Sequence, residues 1–376
     1  MKRFLCFVCA ALCLALNVRA EGEYPGKSGL LMEVSTGQIL YASNEHEALA
    51  PASVTKVMTL LLIMEAIDSG AVQWTDTVTA SETAAAKGGS QVYLKAGESM
   101  SVEDMVKSIA VSSANDCACA MAEHLAGSEA GFVEKMNQRA AELGMTDTHF
   151  VNCTGLDDAA EAQSHKTSAR DIALMSRELL AKHPDIKRFT TIWMDSIRDG
   201  TFGLSNTNKL VRFYKGATGL KTGFTHGAGY CLSASAQREG MELIAVVMGA
   251  ESSQARFDAC RGMLDYGFAN FGLFQPEQES WSVPVRLGTG ERVRAELADT
   301  RGLLTEKGKL AGITVRAELL EEVTAPVEKG QQLGLLQVLS GEQVLASIPL
   351  TAAENVERLS WLDLFVKILS KVSMAG

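Results

Sequence analysis

The sequence predicts an α+β fold in which strand pairs bracket a helical insert, followed by a small all-β region and a terminal amphipathic helix. Three observations carry this. Residues 29–42 and 228–249 each read as paired strands around a turn. Helical periodicity recurs between them, at 53–69, 101–126, 129–143 and 168–182. After about residue 275, short alternating segments separated by glycine-bearing turns replace the helices. Strands gathered on either side of a block of helices differ from the regular β-α alternation of a parallel sheet.

The elements follow in order. Lys2 and Arg3, the apolar stretch Phe4 to Leu16 and the small-x-small triplet Val18-Arg19-Ala20 form a secretory signal, with cleavage expected after Ala20. The apolar stretch is shorter than the roughly 18 residues that a membrane span needs. Two short strands in 29–42 flank a Ser-Thr-Gly turn. From Ser53 a helix places Val57, Met58, Leu61, Leu62 and Met64 on its apolar side, and Gly70 stops it. Ser168-Ala-Arg-Asp171 is a capping-box arrangement opening another helix. Residues 209–215 read as a strand, and Gly229–Ala236 and Met241–Gly249 as a pair around Arg238-Glu-Gly240. Val293–Leu297, Ile313–Leu319 and Val344–Ile348 alternate as strands of the β-region. The tail, 359–376, is helical, with Trp361, Leu364, Phe365, Ile368, Leu369 and Val372 opposite Asp363, Lys367, Ser370 and Lys371. Such a helix suits the interface of an anionic membrane. The expected division is a signal at 1–20, a main domain at 21–275, a β-domain at 276–355 and the amphipathic helix at 356–376.

Charge narrows the partners. Of 376 residues, 35 are basic and 45 acidic, a net charge of −10. Removing the signal takes away three basic groups and no acidic one, leaving −13. Nucleic-acid binding needs basic patches that displace phosphate counterions, so that class is excluded. Five cysteines remain after the signal: Cys117, Cys119, Cys153, Cys231 and Cys260. Their odd number and scattered spacing do not form a disulfide framework, and they read as buried free thiols. Histidines and cysteines never reach metal-ligand spacing, so no metal or other cofactor is expected. Gly22-Glu-Tyr-Pro-Gly-Lys-Ser28 falls one residue short of a phosphate loop, and His46-Glu47 begins a zinc-protease motif that Leu49-Ala50 does not complete.

Chemistry concentrates in three short motifs: Ser53-Val-Thr-Lys56, Ser113-Ala-Asn115 and Lys221-Thr-Gly223. Three apart on a helix, Ser53 and Lys56 share a face. A serine hydroxyl is a weak nucleophile until a base takes its proton. Lysine serves as that base only if burial or a second positive charge lowers its pKa. After Pro51, the Ser53 N–H is placed to meet a developing oxyanion. Ser113 can relay a proton to a leaving amine, and Asn115 can hold a substrate amide. On an edge strand, Lys221 and Thr222 offer donors to a carboxylate, Gly223 permits close approach of a peptide, and the N–H of Phe224 is a second oxyanion donor.

These three motifs lie 60 and 108 residues apart, and in that order they resemble the low-molecular-weight penicillin-binding proteins, serine D-alanyl-D-alanine carboxypeptidases. Flanking residues extend the similarity: Pro51-Ala-Ser-Val-Thr-Lys56, Ser112-Ser-Ala-Asn-Asp116, Gly219-Leu-Lys-Thr-Gly-Phe-Thr-His-Gly-Ala-Gly-Tyr230 and Gly155-Leu-Asp through His165-Lys-Thr-Ser-Ala-Arg-Asp171. It runs from about residue 25 to 270, and more loosely through the β-domain. The resemblance implies an antiparallel sheet flanked by helices with a helical subdomain. It also implies removal of the terminal D-alanine from peptidoglycan stem pentapeptides through a Ser53 acyl-enzyme, with acylation by β-lactam antibiotics. The location implied is the outer face of the bacterial cytoplasmic membrane, held by the C-terminal helix, or secretion. Cys153 and His226 depart from the family's usual residues, outside the three motifs; His165 and His226 read as loop residues.

Rival readings differ in chemistry. A β-lactamase needs a deacylating glutamate in a Glu-x-x-Leu-Asn loop, which Glu134-Lys-Met-Asn137 only echoes. A cross-linking transpeptidase carries larger additional modules. An inactive wall-binding scaffold has no use for an intact Ser53, Lys56 and Ser113.

Overall fold

A computed structural model of the chain describes residues 24–158 and 160–366. The expected signal and the last ten residues of the amphipathic tail lie outside them. The chain divides between Ala269 and Asn270 into two compact units.

The first unit is built on a five-stranded antiparallel sheet. Its strands are β1 (Ser28–Glu33), β2 (Ile39–Ser43), β3 (Ala217–Thr225), β4 (Gly229–Arg238) and β5 (Met241–Ala250), in the order β2-β1-β5-β4-β3. Between β2 and β3 the chain makes α1 (Lys56–Asp68), α2 (Val102–Ser112), α3 (Asn115–Ala126), α4 (Glu129–Glu142) and α5 (Ala169–Lys182); α6 (Ser253–Asn270) follows β5. The Glu33 carboxylate closes the β1–β2 turn by accepting the backbone N–H groups of Ser35 and Thr36. β5 is buried along nearly its whole length because helices cover both sheet faces. Leu30, Met32, Ile244 and Val246 join the helical core, while Leu31 and Leu243 lie against Gly267 of α6. Ser101, Ser128 and Ser168 each accept a backbone N–H at the start of α2, α4 and α5. Each such cap contributes about 1 kcal/mol.

Two segments differ from the sequence expectation. The single helical stretch at 101–126 is broken at Ser113, whose φ of +64° ends α2 in the left-handed region. Apolar periodicity continues across the break and so conceals it. Residues 209–215, expected as a strand, contain the helical turn Leu210–Phe213. The side-chain oxygen of Asn208 accepts the Leu210 N–H at 3.1 Å and starts that turn, overriding the strand preference of Val211 and Phe213. The strand carrying Lys221 begins only at Ala217.

The second unit contains a six-stranded sheet in the order Ile313–Leu319, Gln332–Ser340, Gln343–Ala352, Arg292–Leu297, Trp281–Arg286 and Val323–Thr324. Val283, Val293, Leu333, Leu336 and Leu350 form its core. Val356 belongs to that core, and its N–H donates to Val327 O. Residues 361–366 begin the helix expected in the tail.

Candidate active site

Pro51 leads into a 3-10 turn, Ala52–Thr55, that runs into α1. Ser53 is therefore on the turn just before the α-helix, half-buried, and Lys56 is the first helical residue, fully buried. Lys56 Nζ donates to Ser53 Oγ at 3.0 Å and to the carbonyl of Thr154 at 2.8 Å. Neither partner is a carboxylate. Burial accordingly dominates and pulls the Lys56 ammonium down to about 7, against smaller opposing effects of Cys153 and Asp116. The amine is thus poised to lose its proton near neutrality, next to the one hydroxyl it touches.

The Lys221 motif packs against this pair, and Ser113 and Asn115 lie at the junction of α2 and α3. The αL conformation of Ser113 turns the chain between α2 and α3 and leaves Ser113 nearly buried. The Asn115 side chain donates from Nδ2 to Gly88 O at 2.7 Å, while its buried Oδ1 has no protein partner. One N–H of Nδ2 and the oxygen Oδ1 thus remain for a substrate amide. Asp116, the next residue, ties down the neighbouring loop by accepting the N–H groups of Val92 and Leu94.

On β3, Lys221 is buried and donates to Thr222 O at 3.0 Å. Burial holds its ammonium well below the usual lysine value, and the charges of Lys56 and Arg256 push the same way. The Thr222 hydroxyl donates to Thr207 Oγ1 at 2.6 Å, and the Thr207 N–H donates to Val111 O in α2. That chain ties the Lys221 strand to the helix ending at Ser113. At Gly223, a Cβ would stand 2.6 Å from Pro51 O and 3.1 Å from Ser53 N. The missing side chain thus lets β3 pack against the Ser53 turn itself, a closer requirement than room for a peptide. Phe224 is 45% exposed at the mouth, stacked on Tyr230 with His226 edge-on.

Several contributors escaped the motifs. Arg256 in α6 donates to the Gly223 carbonyl at 2.8 Å from a buried position behind β3. Gly155, at φ +81°, leaves space for the Ala52 carbonyl, which a Cβ would approach to 1.8 Å. His165 lies on a loop, buried and hydrogen-bonded to Thr55 at 2.8 Å. No short motif announces these residues. Gly155 and His165 fall in the family-like stretch from Gly155 to Asp171, and Arg256 lies outside it. All five cysteines at 117, 119, 153, 231 and 260 are free and buried.

Comparison with known proteins identifies the family. Residues 16–252 match the D-alanyl-D-alanine carboxypeptidase family, peptidase S11. The chain belongs to that family. Residues 268–358 match the C-terminal domain of penicillin-binding protein 5. The D-alanyl-D-alanine carboxypeptidase DacF of Bacillus subtilis is 41% identical over 350 residues, covering 91% of this chain and 89% of that protein. The crystal structure of penicillin-binding protein 5 from Haemophilus influenzae superposes with a TM-score of 0.77 at 30% identity, covering 90% of this chain and 99% of the other. Penicillin-binding protein D2 from Listeria monocytogenes, in its ampicillin-bound form, gives 0.60 at 30% identity over 65% of this chain and 98% of its own. The fold is that of a penicillin-binding protein, with an all-β C-terminal domain.

Gly155 provides a test of the packing around Ser53. Gly155→Ala forces a Cβ against the Ala52 carbonyl from a positive φ, and overpacking of this kind costs roughly 1–3 kcal/mol. Thermal unfolding should fall accordingly, with labelling by fluorescent penicillin slowed in the molecules that remain folded. A variant matching the parent in both would show that the turn has slack.

Proposed function

We propose that this member of the family is a serine D-alanyl-D-alanine carboxypeptidase in which Ser53 is the nucleophile and Lys56 its base. The observation that carries the assignment is the buried Lys56 amine 3.0 Å from the Ser53 hydroxyl, with its pKa lowered to about 7. A stem peptide ending in D-Ala-D-Ala lies along β3, its terminal carboxylate drawn to the positive end of the site at Lys221 and Thr222. Lys56 takes the Ser53 proton as Oγ attacks the penultimate carbonyl. The N–H groups of Ser53 and Phe224 receive the oxyanion. Ser113 passes a proton to the departing D-alanine, and water then hydrolyses the ester. Asn115, held from the Gly88 side, binds the substrate amide. Gly223 brings β3 within reach.

β-Lactams acylate the same serine by presenting a strained amide to the same groups. The rival deacylating loop is disfavoured because Asn137 is committed to the backbone of Phe150 at both ends of its amide. The test is release of D-alanine from a peptide ending in D-Ala-D-Ala. D-Alanine is expected at a rate that penicillin abolishes; hydrolysis of penicillin in preference to the peptide would favour the β-lactamase reading.

Export to the outer face of the cytoplasmic membrane fits the same substrate. No helix among the described residues is long and apolar enough to cross a membrane. Attachment would then fall to the tail. Trp361 is 77% exposed and stacked on Phe365, with Leu362 and Val366 also exposed. Because Leu359 still bonds to Leu287 O, a truncation sparing the β-domain ends there. The full chain should co-sediment with anionic liposomes less well as salt rises, and the chain ending at Leu359 should not sediment. Equal sedimentation by both would remove the tail from the proposal.

A further inference from the structure

His165 is a buried histidine with both ring nitrogens engaged, 110 residues from the partner on which it acts. The Val151 N–H points at Nδ1, 3.1 Å away. Nδ1 must therefore be the unprotonated acceptor, which leaves the proton on Nε2. Nε2–H donates to Thr55 Oγ1 at 2.8 Å, and Thr55 Oγ1–H donates to the Ala52 carbonyl at 2.8 Å. The direction of every proton in this chain is set by the Val151 N–H at its far end. The charged or titratable groups that bear on the ring are His149, Lys166 and Lys56, all of which disfavour a second proton. Burial acts most strongly in the same sense and lowers the ring to about 4.

The chain ends on an informative atom. The Ala52 carbonyl and the Ser53 N–H are the two ends of one planar peptide unit, so fixing the oxygen fixes the direction of the N–H. That unit needs fixing, because Ala52 has φ +49°, an uncommon conformation for a residue with a side chain. Its surroundings permit the conformation without holding it: Gly155 clears space for the carbonyl, and Gly223 clears space near Ser53 N. On the flanks, Leu49 exchanges two backbone hydrogen bonds with Thr167, and Lys56 reaches Thr154 O. The Thr55 hydroxyl, backed by His165, bonds to the strained peptide itself.

We propose that His165 is a positioning residue, which acts through Thr55 to aim the Ser53 N–H at the oxyanion formed during acylation. The inference rests on the reading of Ser53 as nucleophile. An oxyanion donor bonds the transition state more strongly than the ground state, so misaiming it lowers kcat and leaves KM unchanged. A role limited to stability would instead lower Tm without changing turnover per folded molecule.

The experiment measures kcat, KM and Tm for D-alanine release by Thr55→Val, Thr55→Ser, His165→Phe, His165→Gln and the double variant Thr55→Val/His165→Phe. Thr55→Val and His165→Phe should each lose about tenfold in kcat at constant KM, the scale of one buried hydrogen bond. Thr55→Ser and His165→Gln, which retain the hydroxyl and a donor N–H, should recover most of that loss. The double variant should be no slower than the slower single, because either change alone breaks the relay. Wild-type kcat in Thr55→Val and His165→Phe, or additive losses in the double variant, would overturn the proposal. If His165→Phe does not fold, the Thr55→Val and Thr55→Ser pair decides the question. Failure of the underlying reading looks different: Ser53→Ala would then keep its turnover.

Discussion

Replacing Ser53 by alanine should reduce D-alanine release to background, a loss on the order of 10⁴-fold or more, since removing a nucleophile abolishes the covalent route. The loss should appear in kcat with the fold intact. Ser53 is half-buried on a turn, and its hydroxyl accepts from Lys56, while Lys56 keeps its second partner at Thr154 O. Covalent labelling by fluorescent penicillin should vanish with turnover. Non-covalent binding of the peptide should persist, because the Lys221 strand is untouched. Retained labelling would move the nucleophile elsewhere.

Lys56→Arg should be nearly as damaging, at least ~10²-fold in acylation, because proton transfer commonly contributes that much and guanidinium does not give up its proton. Arginine must also fit a site with no exposed surface and accept neutral partners only. The pH profile gives the sign. Lys56 works as a base only when neutral, and burial lowers its pKa to about 7. Acylation of the parent should therefore fall as pH drops through about 7, by roughly tenfold per unit below it. A parent profile flat from pH 5 to 9, or near-normal turnover in Lys56→Arg, would require a different base.

Much of this was legible in the chain. The strand pairs declared themselves as short apolar runs on either side of turns at Gly37 and Gly240, and Ser53 with Lys56 by a three-residue spacing that brings two side chains to one face. The Ser113 break was not, because α2 and α3 carry apolar residues continuously across it and only the backbone angle at Ser113 marks the turn. The helical turn at Leu210 was hidden for the opposite reason: a local cap from Asn208 outweighs residues that favour strands. Supports of the Ser53 turn were invisible in principle. Thr154 meets Lys56 across 98 residues and His165 meets Thr55 across 110, contacts that no local pattern encodes. The role of Gly223 could be guessed but not its reason, since the atoms it approaches belong to Pro51 and Ser53.

The central claim is that Ser53 carries the acyl group, and it can be read directly by mass. Trypsin releases residues 28–56 as one peptide, which contains Ser28, Ser35, Ser43 and Ser53. After brief exposure of the folded protein to penicillin, that peptide should gain the mass of one penicillin, and fragmentation should place it on Ser53. An adduct on any other residue, or an identical adduct on the same peptide from Ser53→Ala, would contradict the account.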